Sequence, residues 1–136
     1  MEVNKKELKE QEIRTLFITP ALNQKGWAVG VNMREEYYFT DGRVLVIGNQ
    51  HSVAEGKKAD YLLYHKGKPI AVVEAKDNKH AVGGGIQQAM SYAEILDLKF
   101  AYSSNGNAFL EHDFITGKET EIKLEAVSYT HLTLPT

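Results

Sequence analysis

Glu74 and Lys76 stand two positions apart at the end of the apolar run in "PIAVVEAKDNKH", Pro69 to His80. A carboxylate and an ammonium at the end of a buried strand are costly to desolvate unless each is paired. The preceding run, "ADYLLYH", supplies a partner. If the two runs form a hairpin centred on Gly67, Tyr64 lies opposite Ile70, Leu62 opposite Val72 and Asp60 opposite Glu74. Opposed residues of an antiparallel pair share a face with Cβ atoms about 4.5–5.5 Å apart, and Lys76 joins that face through the two-residue period of the strand. The expectation depends on register, because a one-residue bulge or a two-residue turn on Lys66 and Gly67 sends Asp60 to the other face.

Two carboxylates this close do not both ionise comfortably without a cation. With no cysteine in the chain and no histidine pair at ligand spacing, hard oxygen ligands favour magnesium, or manganese in its place, over zinc. Lys76, beside the open coordination side, could orient or help deprotonate an attacking water and offset charge in the transition state. That combination is metal-assisted phosphodiester hydrolysis. The competing reading is a surface ion cluster at a strand end, a common and weakly stabilising arrangement.

The elements that must position these groups are legible as alternating patterns. Asn4 with Glu7 has capping spacing, so a helix is expected from Lys5, stopping or kinking at Thr19 and Pro20. Five runs rich in β-branched and aromatic residues follow: "WAVGVNM", "REEYYFT", "RVLVIG", "ADYLLYH" and "PIAVVEAK". "GGGIQQAMSYAEIL" returns to helical spacing, and "KFAYSSNG" and "NAFLEHDF" read as further strands, with "GKETEIKLEA" a charged strand or turn. This order predicts an α/β fold: a mixed central sheet flanked by helices, with antiparallel hairpins early and a helical crossover late.

Composition sets the frame. With 136 residues, 43% hydrophobic and 25% charged, the chain suffices for one domain with its own core, assigned here to residues 1–127. "SYTHLTLPT" continues no period, so residues 128–136 are expected to be a non-native or disordered tail. The absence of cysteine, of an apolar leader and of a long apolar stretch points to a cytoplasmic protein with no membrane association. A net charge of -2 argues against a strong nonspecific grip on nucleic acid. Between Gly56 and His80, however, six lysines face three acids, and Lys57 and Lys58 open that basic stretch. Gly56-Lys57-Lys58 is no P-loop, so ATP use by this chain has no support. Gly83 to Gly85 reads as a flexible connector rather than a phosphate cradle, the five histidines as surface residues, and Tyr37, Tyr38 and Phe39 as sheet core and edge.

Asp60 followed by Glu74-Ala75-Lys76 at the end of an apolar strand resembles the PD-(D/E)xK nuclease signature, with Ala59 where the signature has proline. Together with "QAMSY" (Gln88 to Tyr92), "EQEIRTLFITPALNQKGW" and "FAYSSNG", it resembles the N-terminal nuclease domain of the restriction (R) subunit of type I restriction-modification enzymes, over roughly Glu10 to Ile122. The resemblance implies a restriction-endonuclease-like fold and a magnesium-dependent DNA endonuclease acting in restriction of foreign DNA. It implies Asp60, Glu74, the carbonyl of Ala75 and Glu10 as metal ligands, with Asp60, Glu74 and Lys76 catalytic. Glu12 competes with Glu10, which stands four residues before Arg14 as the family acid does. Gln88 and Tyr92, one helical turn apart, are implied to bind or position DNA; the alternative for Tyr92 is packing between helix and sheet. The implied partners are double-stranded DNA and, in the full complex, methylation and specificity subunits, with ATP used only by domains outside this chain. The alternatives are a stand-alone repair or junction nuclease of the same superfold and a non-catalytic module that binds DNA or a partner subunit.

Overall fold

The computed structural model describes residues 4–40, 44–47, 50–53 and 56–125, the backbone alone at 44–47 and 50–53. Residues 126–136, with the expected tail, lie outside the described residues.

The chain opens with a short 3-10 turn, Lys5–Glu7, capped by the Asn4 side chain, which accepts from the Lys6 N–H at 3.1 Å. Leu8 and Lys9 are extended, and the first long helix begins only at Glu10, where the Glu12 carboxylate accepts the Lys9 N–H at 3.1 Å. The expected start at Lys5 is thus displaced. Nor does the helix stop at Pro20. It runs as α1 (Glu10–Ile13), one π-helical turn (Arg14–Ile18) and α2 (Thr19–Gln24). Pro20 has no N–H to donate and its ring crowds the preceding turn. The helix accommodates it by widening that turn, so that the Thr19 N–H reaches back five residues to the Arg14 carbonyl. Gly26, at φ +97°, ends α2, with the Trp27 N–H returning to the Leu22 carbonyl at 3.0 Å.

"WAVGVNM" is not a strand: its first six residues are irregular, with an isolated bridge from Val29 to Met33 and a turn at 30–32, and β1 is Met33–Phe39. Then come β2 (Val44–Ile47), β3 (Gln50–Val53), β4 (Lys57–His65), β5 (Lys68–Ala75), α3 (Ile86–Leu96), β6 (Phe100–Ser104), β7 (Ala108–Asp113) and β8 (Glu119–Lys123). The main sheet has the order β1-β4-β5-β6-β7-β8, while among the described residues β2 and β3 pair only with each other. Every neighbour in the main sheet is antiparallel except β5 and β6, which run parallel and are joined through α3. The mixed sheet with a late helical crossover is the expected one.

Two apolar layers hold the helices to the sheet. Ile13, Ile18 and Leu22 pack with Met33, Tyr61, Leu63 and Val73 on one face; Ile86, Ala89 and Ala93 pack with Leu62, Val72 and Ala101 on the other. Residues an even number apart on a regular strand share a face. That alternation breaks in β5 at Ile70, which the ladder skips, and again in β4 and β1. Tyr61 and Leu63 belong to the first layer, yet Ala59 belongs to the second, as do its neighbours Tyr37 and Phe39. The face switches across Asp60 in β4 and across Glu36 in β1, and Glu36 carries a left-handed φ of +51°.

Candidate active site

The β4–β5 hairpin has the two-residue turn that threatened the expected register: His65 pairs with Lys68, and Lys66 and Gly67 both have positive φ, 51° and 79°. A bulge between Leu63 and Tyr64 cancels the slip, so Leu62 lies opposite Val72 and Tyr61 opposite Val73. Beyond that pair the side chains take over from the ladder. The Asp60 N–H donates to Glu74 Oε2 at 2.8 Å, and the Ala75 N–H donates to Asp60 Oδ2 at 2.8 Å. Each carboxylate thus holds the backbone of the opposing strand.

Both are deeply buried, Asp60 at 6% exposure and Glu74 at 3%. Burial, and then the negative charge of Asp60, push the Glu74 carboxyl up to about 8, against the opposing pull of its bond from the Asp60 N–H. At neutral pH, without a counter-charge, the pair therefore retains a proton. Two carboxylates that favour an added positive charge, with no cysteine in the chain, fit a hard divalent cation.

Glu10, in the first turn of α1, feels the same pair. Its carboxyl is raised by partial burial and by Asp60, while Lys76, Arg14 and Lys58 pull it down. Among the described residues no three acidic or histidine side chains are gathered closely enough to hold an ion. Glu10 therefore faces the pair without closing on it, and Glu12 is engaged at the helix start.

Lys76 follows on β5, half-buried, its N–H bonded to the Ser104 carbonyl at 2.9 Å. The glycine segment packs against it. A Cβ on Gly85 would stand 3.1 Å from Ser103 Oγ, 3.4 Å from Glu74 Cβ and 3.5 Å from Lys76 Cγ. The Gly85 N–H donates to Ser103 Oγ at 2.9 Å, and that hydroxyl donates to the Val82 carbonyl at 2.8 Å. Gly85, the last of the three glycines, is thus a close-packed wall of the site rather than part of a flexible connector, while Gly84 is exposed. Behind Lys76, Asn78 Nδ2 donates to the Asn105 carbonyl and Asn105 Nδ2 to the His80 carbonyl, both at 2.8 Å, tying the strand end to β6.

A search against family models matches residues 31–104, more than half of the chain, to the second domain of the type I restriction enzyme EcoKI endonuclease subunit. The chain belongs to the type I restriction endonuclease (HsdR) subunit family. It is 42% identical over 113 residues, 82% of its length, to the type I restriction enzyme EcoAI endonuclease subunit of Escherichia coli, of which it spans 14%. It is also similar to a solved fragment assigned to the HsdR subunit of a type I restriction enzyme from Vibrio vulnificus YJ016, at TM-score 0.70 and 47% identity, covering 85% of this chain and 23% of that one. The fold is accordingly of the restriction-endonuclease type.

Within this HsdR-family domain the other sequence-predicted residues lie on α3 and β4. Gln88 is exposed on α3 and donates to the Tyr92 hydroxyl at 2.7 Å. Tyr92 is 8% exposed and meets the Phe39 ring edge-on, 5.0 Å between centroids, so it packs between helix and sheet. Lys57 lies opposite Phe39 and Lys58 opposite Tyr38; Lys58 is exposed and ion-paired with Glu36 at 3.3 Å. The 520 Å³ hollow lined by Gly30, Asn32, Arg34, Tyr64 and Lys66 lies at the hairpin's turn, the opposite end of β4 and β5 from the carboxylates.

Sequence reasoning missed Arg14 as part of the site. It is 4% exposed, its guanidinium over the Tyr61 ring at 5.0 Å, with Nη2 3.5 Å from the Asp60 carbonyl and Nη1 3.9 Å from Asp60 Oδ1 and 3.7 Å from Glu36 Oε1. The available signal was a cation placed between Ile13 and Phe17 on the apolar face of a helix.

Proposed function

We propose that this chain is the DNA-cutting domain of a type I restriction enzyme: a magnesium-dependent endodeoxyribonuclease that hydrolyses phosphodiesters of double-stranded DNA in restriction of foreign DNA. The observation that carries this reading is the reciprocal lock of two buried carboxylates at a strand end, with Lys76 the first residue beyond the end of β5. A structural ion cluster at a surface would leave its charges in water; this one keeps them 6% and 3% exposed.

Asp60 and Glu74 would each give an oxygen to the ion, Ala75 its carbonyl, and Glu10 an approach from the helix side. A bound magnesium supplies charge neutralisation at the pair and Lewis-acid polarisation of the scissile phosphate. Lys76 orients the attacking water and offsets the charge that develops on the phosphate. Lys57 and Lys58 contact the phosphate backbone from the start of β4, and Gln88, held by its bond to the Tyr92 hydroxyl, positions the duplex from α3. In the cell the domain would work in the cytoplasm as part of a longer subunit that uses ATP elsewhere in its chain and assembles with methylation and specificity subunits.

The test pairs calorimetry with plasmid cleavage. Magnesium or manganese should bind the wild-type chain. Lys76→Ala should retain most of that affinity, stay within about 0.5 kcal/mol of wild-type stability and lose about 100-fold or more in cleavage rate. Cleavage at the wild-type rate by that variant would remove Lys76 from the mechanism. No ion bound at millimolar metal would favour the non-catalytic module.

A further inference from the structure

Glu36 occupies a position that an exposed ion pair does not explain. It is a non-glycine residue at φ +51° inside a strand, skipped by the ladder that pairs Glu35 with Tyr61 and Tyr37 with Ala59. Backbone strain of this kind costs more than a half-exposed ion pair returns, and it persists where the surrounding structure enforces it. Its effect is to aim one carboxylate oxygen, Oε1, at two cations at once, Lys58 Nζ at 3.3 Å and Arg14 Nη1 at 3.7 Å. Arg14 is buried and reaches Asp60 Oδ1 with the same Nη1, so the Glu36 carboxylate stands beside the carboxylate pair. Glu36 itself is open to solvent, with 47% of its side chain exposed and 40% of that of Lys58.

An arginine and a lysine that share a carboxylate at the rim of a site are a cation pair that also recognises phosphate, the other common oxyanion. We propose that Arg14 and Lys58 form a phosphate subsite next to Asp60, that Glu36 fills it in the free protein, and that a phosphodiester of the bound nucleic-acid backbone displaces Glu36. The proposal rests on the nuclease reading and extends it: strand entry is coupled to the release of an internal competitor, and Arg14 passes from Glu36 to the substrate while keeping its hold on Asp60.

The test is binding of a short labelled DNA duplex by the chain in chelator, followed by fluorescence anisotropy across a range of salt. Glu36→Asn removes the charge and keeps a side chain that tolerates left-handed φ. Glu121→Gln, exposed on β8, makes the same change in net charge far from the subsite in sequence. Glu36→Asn should bind about three- to tenfold more tightly than wild type, with the slope of log affinity against log salt steeper by about one. Glu121→Gln should match wild type, and Lys58→Ala should erase the gain when combined with Glu36→Asn. Should Glu36→Asn prove hard to fold, Glu36→Gly, which relieves the strain as well, replaces it with the same expectation. Salt-dependent binding by wild type with no gain in either Glu36 variant overturns the proposal and leaves the nuclease reading standing. An equal gain in Glu121→Gln also overturns it, and absence of binding by every form overturns both.

Discussion

At the scale of single residues, the pairing of Asp60 with Glu74 has a consequence for pH. The folded Glu74 carboxyl sits at about 8 against an ordinary 4.5, so between those values the folded state binds a proton that the unfolded chain releases. A raised folded value contributes stability that is fully present below 4.5 and is lost as pH rises through about 8. In chelator, thermal melts should therefore show stability falling between pH 5 and 8, by at most about 1.4 kcal/mol per pH unit. Glu74→Gln should flatten that slope; a wild-type profile already flat would show that the pair is not protonated at neutral pH. A cation competes for the same place as this proton, so magnesium affinity should rise with pH over the same window. The acids and the lysine were legible as residue types at a strand end, because charge after an apolar run is a local signal. Arg14 and Glu36 were not, because their role comes from the close approach of a helix and an edge strand that lie far apart in sequence.

At the scale of elements, the β4–β5 hairpin decides which face Asp60 takes. Its turn places Lys66 at φ +51°, a conformation that asparagine tolerates better than lysine and that favours Asn-Gly in two-residue hairpins. Lys66→Asn should raise stability by several tenths to about 1 kcal/mol, read from denaturant midpoints at unchanged slope. A loss of stability would mean that the Lys66 side chain matters more than its backbone. The hairpin itself was predictable from "HKGKP" between two apolar runs. The turn and the bulge that compensate one another were not, since each alone would have reversed the face and only their coincidence preserves it. Similarly, Pro20 marked a stop or a kink in the helix by local rule, and packing of Ile13, Ile18 and Leu22 on the sheet keeps the helix continuous at the expense of one wide turn. The glycine run before α3 looked like slack in the chain. Its third member is instead fixed by Ser103 on β6, at a site where a methyl group has too little room.

For the whole molecule, the proposed metal binding would be linked to folding, because only the folded chain brings Asp60 to Glu74. An ion that binds the native state alone stabilises it by about 2.7 kcal/mol at a concentration 100 times its Kd. Differential scanning calorimetry should show a magnesium-dependent rise in Tm of several degrees, absent in Glu74→Gln. An equal rise in that variant would place the ion elsewhere. The chain by itself determined the β4–β5 hairpin, the mixed sheet with α3 as its crossover, and the two carboxylates that meet at the end of β5. Those follow from hydrophobic period and turn chemistry, which act within a few residues. Only the tertiary structure decided the reversal of faces at Glu36 and Asp60, the detachment of β2 and β3 from the main sheet, and the burial of Arg14 beneath Asp60. The physical reason is that register, strand partners and the strain a backbone will bear are set by contacts distant in sequence, and no local pattern encodes their sum.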